Sequence, residues 1–244
     1  MSAGAPVRAA LIENLTALHL PAMRTCFEES ARRAEQETLS YEQYLLELSE
    51  RECEAREKNR ISRLLKESGL PIEKTLANFD LKRLPVKVAR QFKVLLDGSF
   101  MDRKENLLLF GNPGAGKSHL LCALGNEMVN RGRRMKYTSC AMLVQDLLAA
   151  KRDLCLSREI KKLAKHDGLI IDEMGYVQQS REEMEVLFTL LAERYERGSV
   201  LLTSNLPFSK WEGIFKDPMT TAAAIDRLVH HSIKIGRASC RERV

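Results

Sequence analysis

Apolar and polar positions follow one repeat in the first third of the chain and a mixture of two repeats after it. Val7, Ala10, Leu11, Leu15 and Leu18 recur at helical spacing; Pro21 interrupts, and Met23, Phe27 and Ala31 resume it. Ser40 and Gln43 make a capping box, with Ser40 as N-cap, ahead of a long helix carrying Tyr44, Leu45, Leu48, Ile61, Leu64 and Leu65. Glu47–Arg51 and Glu52–Arg56 are favourable i,i+4 pairs on it, and Gly69 and Pro71 stop it. Residues 7–68 therefore read as an all-helical unit. Residues 69–85 read as a linker containing Thr75-Leu76-Ala77-Asn78-Phe79-Asp80, and Val86–Leu96 as a further helix.

Beyond residue 105 short unbroken apolar runs appear. Leu107–Phe110, Leu169–Ile171 and Ser199–Thr203 predict buried strands, Arg134–Thr138 a shorter strand, and a last strand begins near Ser232. Helical patterns lie between them: one to about Asn130, one through Met142, Leu143, Leu147 and Leu148, and one with Leu156, Ile160, Leu163 and Ala164 as its apolar stripe. Another is capped by Ser180 and Glu183 and carries Met184, Leu187, Phe188, Leu191 and Ala192. Trp211, Ile214 and Phe215 suggest a short helix, and Ala222–Val229 another. Alternating strands and helices imply an α/β fold, a doubly wound parallel sheet flanked by helices and preceded by the small helical unit.

The chemistry sits at the ends of these strands. Gly111-Asn112-Pro113-Gly114-Ala115-Gly116-Lys117-Ser118 is a complete Walker A loop between a predicted strand and a predicted helix. Its glycines let the backbone curl so that N–H groups point at phosphate oxygens, and the helix N-terminus adds partial positive charge. Lys117 can reach the β- and γ-phosphates, Ser118 can hold Mg²⁺, and His119 extends the cradle. Gly168-Leu169-Ile170-Ile171-Asp172-Glu173 is a Walker B pattern. Asp172 would orient Mg²⁺ through water, and Glu173 would polarise the attacking water. ATP with Mg²⁺ is the expected ligand. Asn205, at a strand tip, is either a turn residue or a group that positions that water. Arg227 either pairs with Asp226 or a neighbour, or supplies charge to the γ-phosphate of an adjacent subunit.

Composition narrows this only slightly. The 244 residues carry a formal charge of +6 and are 44% hydrophobic, enough for a core and compatible with nucleic acid. No apolar run approaches the roughly 20 residues of a membrane span, and Met1–Ala10 lacks a signal-peptide pattern, so a cytoplasmic protein away from membranes is expected. The basic residues of 49–63 (Arg51, Arg56, Lys58, Arg60, Arg63) read as a solvated helix face, or alternatively as a DNA-contacting one; the stretch Lys151–Lys165 is also basic. The six cysteines have no C-x-x-C spacing, and His230-His231 would point to different sides of a regular element and so not chelate.

With these elements placed, the chain resembles the IstB-type transposition helper ATPases of the AAA+ superfamily, near the DnaC helicase loaders and DnaA initiators. The residues that carry the resemblance are Gly111–Ser118, Leu169–Tyr176, Thr203-Ser204-Asn205 and Asp226–Ser232. The resemblance implies an AAA+ ATPase domain over 75–235 after a helical domain and linker over 1–74. It implies DNA-stimulated ATP hydrolysis, homo-oligomers on double-stranded DNA that bend or remodel it, and help to a DDE-type transposase. Asn205 then takes a sensor role and Arg227 acts as a finger in trans. A DnaC-like helicase loader with ATP as its switch is the alternative. After Ile233 the chain departs from the family; 236–244 is expected to be a non-native tail, because one frame of a common short-read sequencing adapter encodes it.

Overall fold

A strand that is apolar on both faces needs helices on both sides, and the chain supplies them. The computed structural model describes residues 4–175, 180–207, 210–211 and 226–236. Tyr176, Ile214, Phe215, 222–225 and 237–244 therefore lie outside the described residues. The chain forms two units, 1–63 and 64–244, and the division falls inside a helix rather than in the 69–85 stretch.

The first unit contains α1 (Gly4–Ala17), α2 (Pro21–Gln36) and most of α3 (Tyr41–Ser68). Pro21 opens α2, where a missing N–H costs nothing. The next two amides, of Ala22 and Met23, donate to buried Glu52 Oε2 at 2.8 and 3.1 Å. Burial pushes the Glu52 carboxyl up, but Arg56 and these amides outweigh that and hold it below the usual carboxylate range. Both halves of the Ser40–Gln43 capping box form. Leu15, Phe27 and Leu48 make the unit's small core. The apolar stripes are only partly used. Val7 and Leu18 stay 68% and 65% exposed and Leu45 59%, since one narrow seam suffices for this short contact. Along α3, Arg51, Arg56, Lys58 and Arg60 each meet a glutamate one turn earlier, as on a solvated face.

The second unit continues with α4 (Val86–Leu95), α5 (Ser99–Asp102), β1 (Asn106–Phe110), α6 (Lys117–Asn130), β2 (Met135–Ser139), α7 (Cys140–Arg152), α8 (Leu156–Ala164), β3 (Gly168–Met174), α9 (Arg181–Arg194), β4 (Ser199–Ser204), a helical turn at 226–229 and β5 (Ser232–Ile235). The five strands are parallel in the order β2-β3-β4-β1-β5. Successive side chains take opposite faces, as the pleat requires. Leu108, Phe110, Leu169, Ile171 and Leu202 pack with α7, α8 and α9. Leu107, Leu109, Ile170 and Leu201 pack with α4, α5 and α6. Burying one such leucine contributes about 2 kcal/mol, which is why these strands carry no polar residue until their ends.

Polar groups at the amino end of the sheet tie elements together. Asn106 Oδ1 accepts from the Val200 amide at 2.8 Å, and its Nδ2 donates to the carbonyls of Leu228 and Arg227 at 3.1 and 3.4 Å. Arg194, 1% exposed, donates to the carbonyls of Leu163, His166, Asp167 and Ser199. One expectation fails here. His230 and His231 occupy a turn, not a regular element, so the two-sides rule does not apply; their ring centroids are 4.3 Å apart.

Candidate functional site

The carboxyl ends of β1, β3 and β4 open onto a cleft of about 370 Å³, lined by Pro113–His119 with Lys74, Glu173, Thr203 and Asn205. Gly114 and Gly116 hold φ of 77° and 79°, a left-handed backbone in which side chains are strained, and this curls the loop between β1 and α6. Lys117 Nζ donates to the carbonyls of Gly111 and Asn112 at 2.8 and 2.9 Å, closing the loop on itself. Burial pushes its ammonium below the usual lysine value, opposed by the charges of Asp172 and Glu173. A phosphate chain entering the cleft would meet this cation and the loop's N–H groups together.

Asp172 is the polar hub. It is 3% exposed, and three hydroxyls donate to it. Ser118 Oγ and Thr203 Oγ1 reach Oδ1 at 2.8 and 2.5 Å, and Tyr137 Oη reaches Oδ2 at 3.0 Å. Burial and the Asp172 charge push the Tyr137 phenol well above its ordinary range, so it remains a donor. Ser118 and Asp172 thus bring hard oxygen donors together, the set a Mg²⁺ ion prefers, usually with several waters retained. The residues fit the ion the motifs imply.

Glu173 departs from the strand in which it sits. Its φ is 62°, and the register between β3 and β4 slips between Ile171 and Met174. A non-glycine residue in that region costs about 1 kcal/mol or more. The Glu173 amide donates to Thr203 Oγ1 at 2.9 Å, which anchors the kink. As a result Glu173 is the one exposed residue of β3, with its side chain in the cleft. Thr203 therefore braces both acids, and Asn205 follows it at the rim.

The stretch before α4 forms another wall. Asn126 Nδ2 donates to the Lys74 carbonyl at 3.1 Å, and His119 Nε2 lies 3.0 Å from the Thr75 carbonyl. The Phe79 ring is 5.0 Å from that of His119 and so close to Gly116 that an added Cβ would come within 3.2 Å of it. His119 here holds this segment in place.

Lys117, Ser118, Glu173 and Asn205 thus line one cleft, with Asp172 buried behind the Ser118 and Thr203 hydroxyls, and Arg227 does not line it. Asn106 begins β1, and the Arg227 carbonyl bonds to it, at the end of the strand away from the loop. At roughly 3.3 Å per residue, β1 places the two ends about 13 Å apart. The Arg227 guanidinium lies 4.4 Å from the Phe188 ring, a cation–π contact. Its buried Nη1 has no hydrogen-bond partner among the described residues. Sequence reasoning missed Tyr137, Thr203 and Lys74 as site residues. The hydroxyl of Thr203 at the end of an otherwise apolar strand was the available signal for one of them.

The model of the IstB-like ATP-binding protein family matches residues 13–244. An insertion-sequence ATP-binding protein of Sinorhizobium fredii is 41% identical over 219 residues, spanning 89% of this chain and 74% of that protein. The IS5376 ATP-binding protein of Geobacillus stearothermophilus is 38% identical, spanning 88% and 86%. Among solved structures, DnaI superposes with a TM-score of 0.58 at 21% identity over 68% of this chain and 94% of that one. DnaA of Aquifex aeolicus bound to AMPPCP gives 0.55 at 21% identity over 68% and 51%. At such identities the likeness to solved structures is one of fold, that of DnaA- and DnaC-like AAA+ proteins.

Proposed function

The chain belongs to the IstB-like ATP-binding protein family, and we propose that it is a DNA-stimulated ATPase that assembles on double-stranded DNA and assists the transposase of an insertion sequence. The observation that carries the reading is one cleft lined by Lys117, Ser118, Glu173 and Asn205, with Asp172 buried behind it and bonded to Ser118. Lys117 and the loop amides bind the triphosphate. Ser118 and Asp172 hold Mg²⁺, which when bound supplies positive charge beside the phosphates. Glu173, free at the rim, takes the proton of the attacking water, and Asn205 orients that water. A pure nucleotide binder has no use for an acid presented in this way. Arg227, at the far end of the sheet, serves the nucleotide of an adjacent copy. The insertion-sequence relatives support a transposase as partner, which on this reading is of the DDE type.

ATP turnover measured with and without duplex DNA tests the proposal, alongside particle size with a non-hydrolysable analogue. Duplex DNA is expected to raise turnover, and the analogue to produce oligomers on it. Turnover indifferent to DNA but raised by a replicative helicase would favour the loader reading instead. Arg227→Ala protein is expected to bind ATP without hydrolysing it, and mixing with Lys117→Ala protein to restore part of the activity. No rescue would place the Arg227 role within one chain.

A further inference from the structure

The turn that ends the sheet's amino edge brings together groups the proposed ATPase cycle leaves unused. His231 Nε2 lies 3.5 Å from Glu196 Oε1, and the His230 ring stands edge-on to the His231 ring. One ligand atom from each of Glu196, His230 and His231 lies within 4.8 Å of the others, and all three residues are exposed. The Tyr195 hydroxyl is 3.1 Å from His230 Nδ1 and fixes that ring. Glu196 holds φ of 57°, uncommon for a non-glycine residue.

We propose that Glu196, His230 and His231 bind a divalent transition metal of the zinc class. Two imidazoles and one carboxylate are the donor set of three-ligand zinc sites, with a fourth position left to water. The Tyr195 hydroxyl supplies the outer hydrogen bond that orients a metal-bound imidazole. One metal ion takes a lone pair from each imidazole and from the carboxylate at once. Glu196 precedes β4 and His231 precedes β5, the two neighbours of β1. The His231 carbonyl also accepts from the Asn106 amide at 2.7 Å. A bound ion therefore staples the starts of β4 and β5 across β1, a few residues from Arg227, and holds that residue's turn in one position.

The test is a Co²⁺ titration of the full chain, stripped with chelator and kept in excess Mg²⁺ so that Asp172 is occupied. The expected result is a visible d–d spectrum saturating at one ion per chain and abolished by Zn²⁺, with a thermal midpoint that rises with metal. His231→Ala and Glu196→Gln should each weaken binding by about tenfold or more. Both residues are exposed, so their melting in chelator should match that of the parent. Absence of a spectrum, thiolate charge-transfer bands, one ion per two chains, or unchanged binding in both variants would each overturn the assignment.

Discussion

At the carboxyl end of the sheet, Glu173 and Asn205 face a cleft and Lys117 grips the loop it belongs to. At the amino end, Asn106 and Arg194 direct every bond described above into neighbouring backbone. Both ends are polar and both interrupt apolar strands. The difference lies in what the groups answer. Asn106 and Arg194 satisfy the amides and carbonyls of elements that must start at one place, so they are structural despite their burial and charge. The P-loop end carries a cation, a buried carboxylate that accepts from three hydroxyls, and an acid held out by a strained backbone. Those features make sense when a charged ligand completes them. A buried charged residue is therefore a poor marker of function by itself; an acid presented to a cleft at an energetic cost is a better one.

Substitutions at the two ends should separate these roles. The largest effect is expected for Glu173→Gln, which should keep ATP bound while turnover falls by about 10²–10⁴-fold; single-turnover assays beside binding titrations check this. Normal turnover would mean another base. Lys117→Ala should lose nucleotide affinity by about two orders of magnitude yet melt close to the parent, since its bonds are to its own loop; fluorescent-nucleotide titration measures it.

At the other end the order reverses. Arg194→Ala removes one donor from each of four carbonyls and the buried packing of the side chain, and should cost about 3 kcal/mol in urea unfolding while sparing ATP affinity of the folded protein. Burial pushes the Arg194 guanidinium down to about 10, so it remains charged at neutral pH. Arg194→Lys should recover only part of the loss, because an ammonium cannot fork across these acceptors. Back at the carboxyl end, Tyr137→Phe should be milder than Arg194→Ala, about 1 kcal/mol in stability, with a raised Mg²⁺ requirement for turnover.

A further effect is confined to alkaline pH. Cys122, one turn along α6 from Ser118, has its thiol pushed up by burial to about 12 from an ordinary value of 9.0. The folded protein keeps this proton where the unfolded chain loses it, so stability should fall as pH rises from 9 toward about 12. Cys122→Ala should flatten that part of the profile, read from urea midpoints on either side of pH 9.

Much of this architecture is legible along the chain because local chemistry dictates it. The apolar runs at 107–110, 169–171 and 199–203 could only be buried strands, and Ser180 with Glu183 forms the capping box its spacing announces. Gly114 and Gly116 take the left-handed backbone that a phosphate-binding loop needs. Other features left no local trace. Tyr137 looks like any strand tyrosine until β2 lies beside β3 and its hydroxyl meets Asp172. The exposed faces of Val7, Leu18 and Leu45 carry the same period as buried ones.

What the amino-acid order determined by itself was periodicity, caps, and the residue types at each strand end, because these depend on neighbours within a few positions. Tertiary structure alone decided that β4 lies between β1 and β3. That order sets Thr203 and Asn205 between the phosphate loop and the two acids. It also sends Arg227 to the opposite end of the same sheet and gathers Glu196 with His230 and His231. Strand order follows from how crossovers pack on a twisted sheet, a property of the whole domain. Which distant side chains meet is for that reason not written in any one stretch.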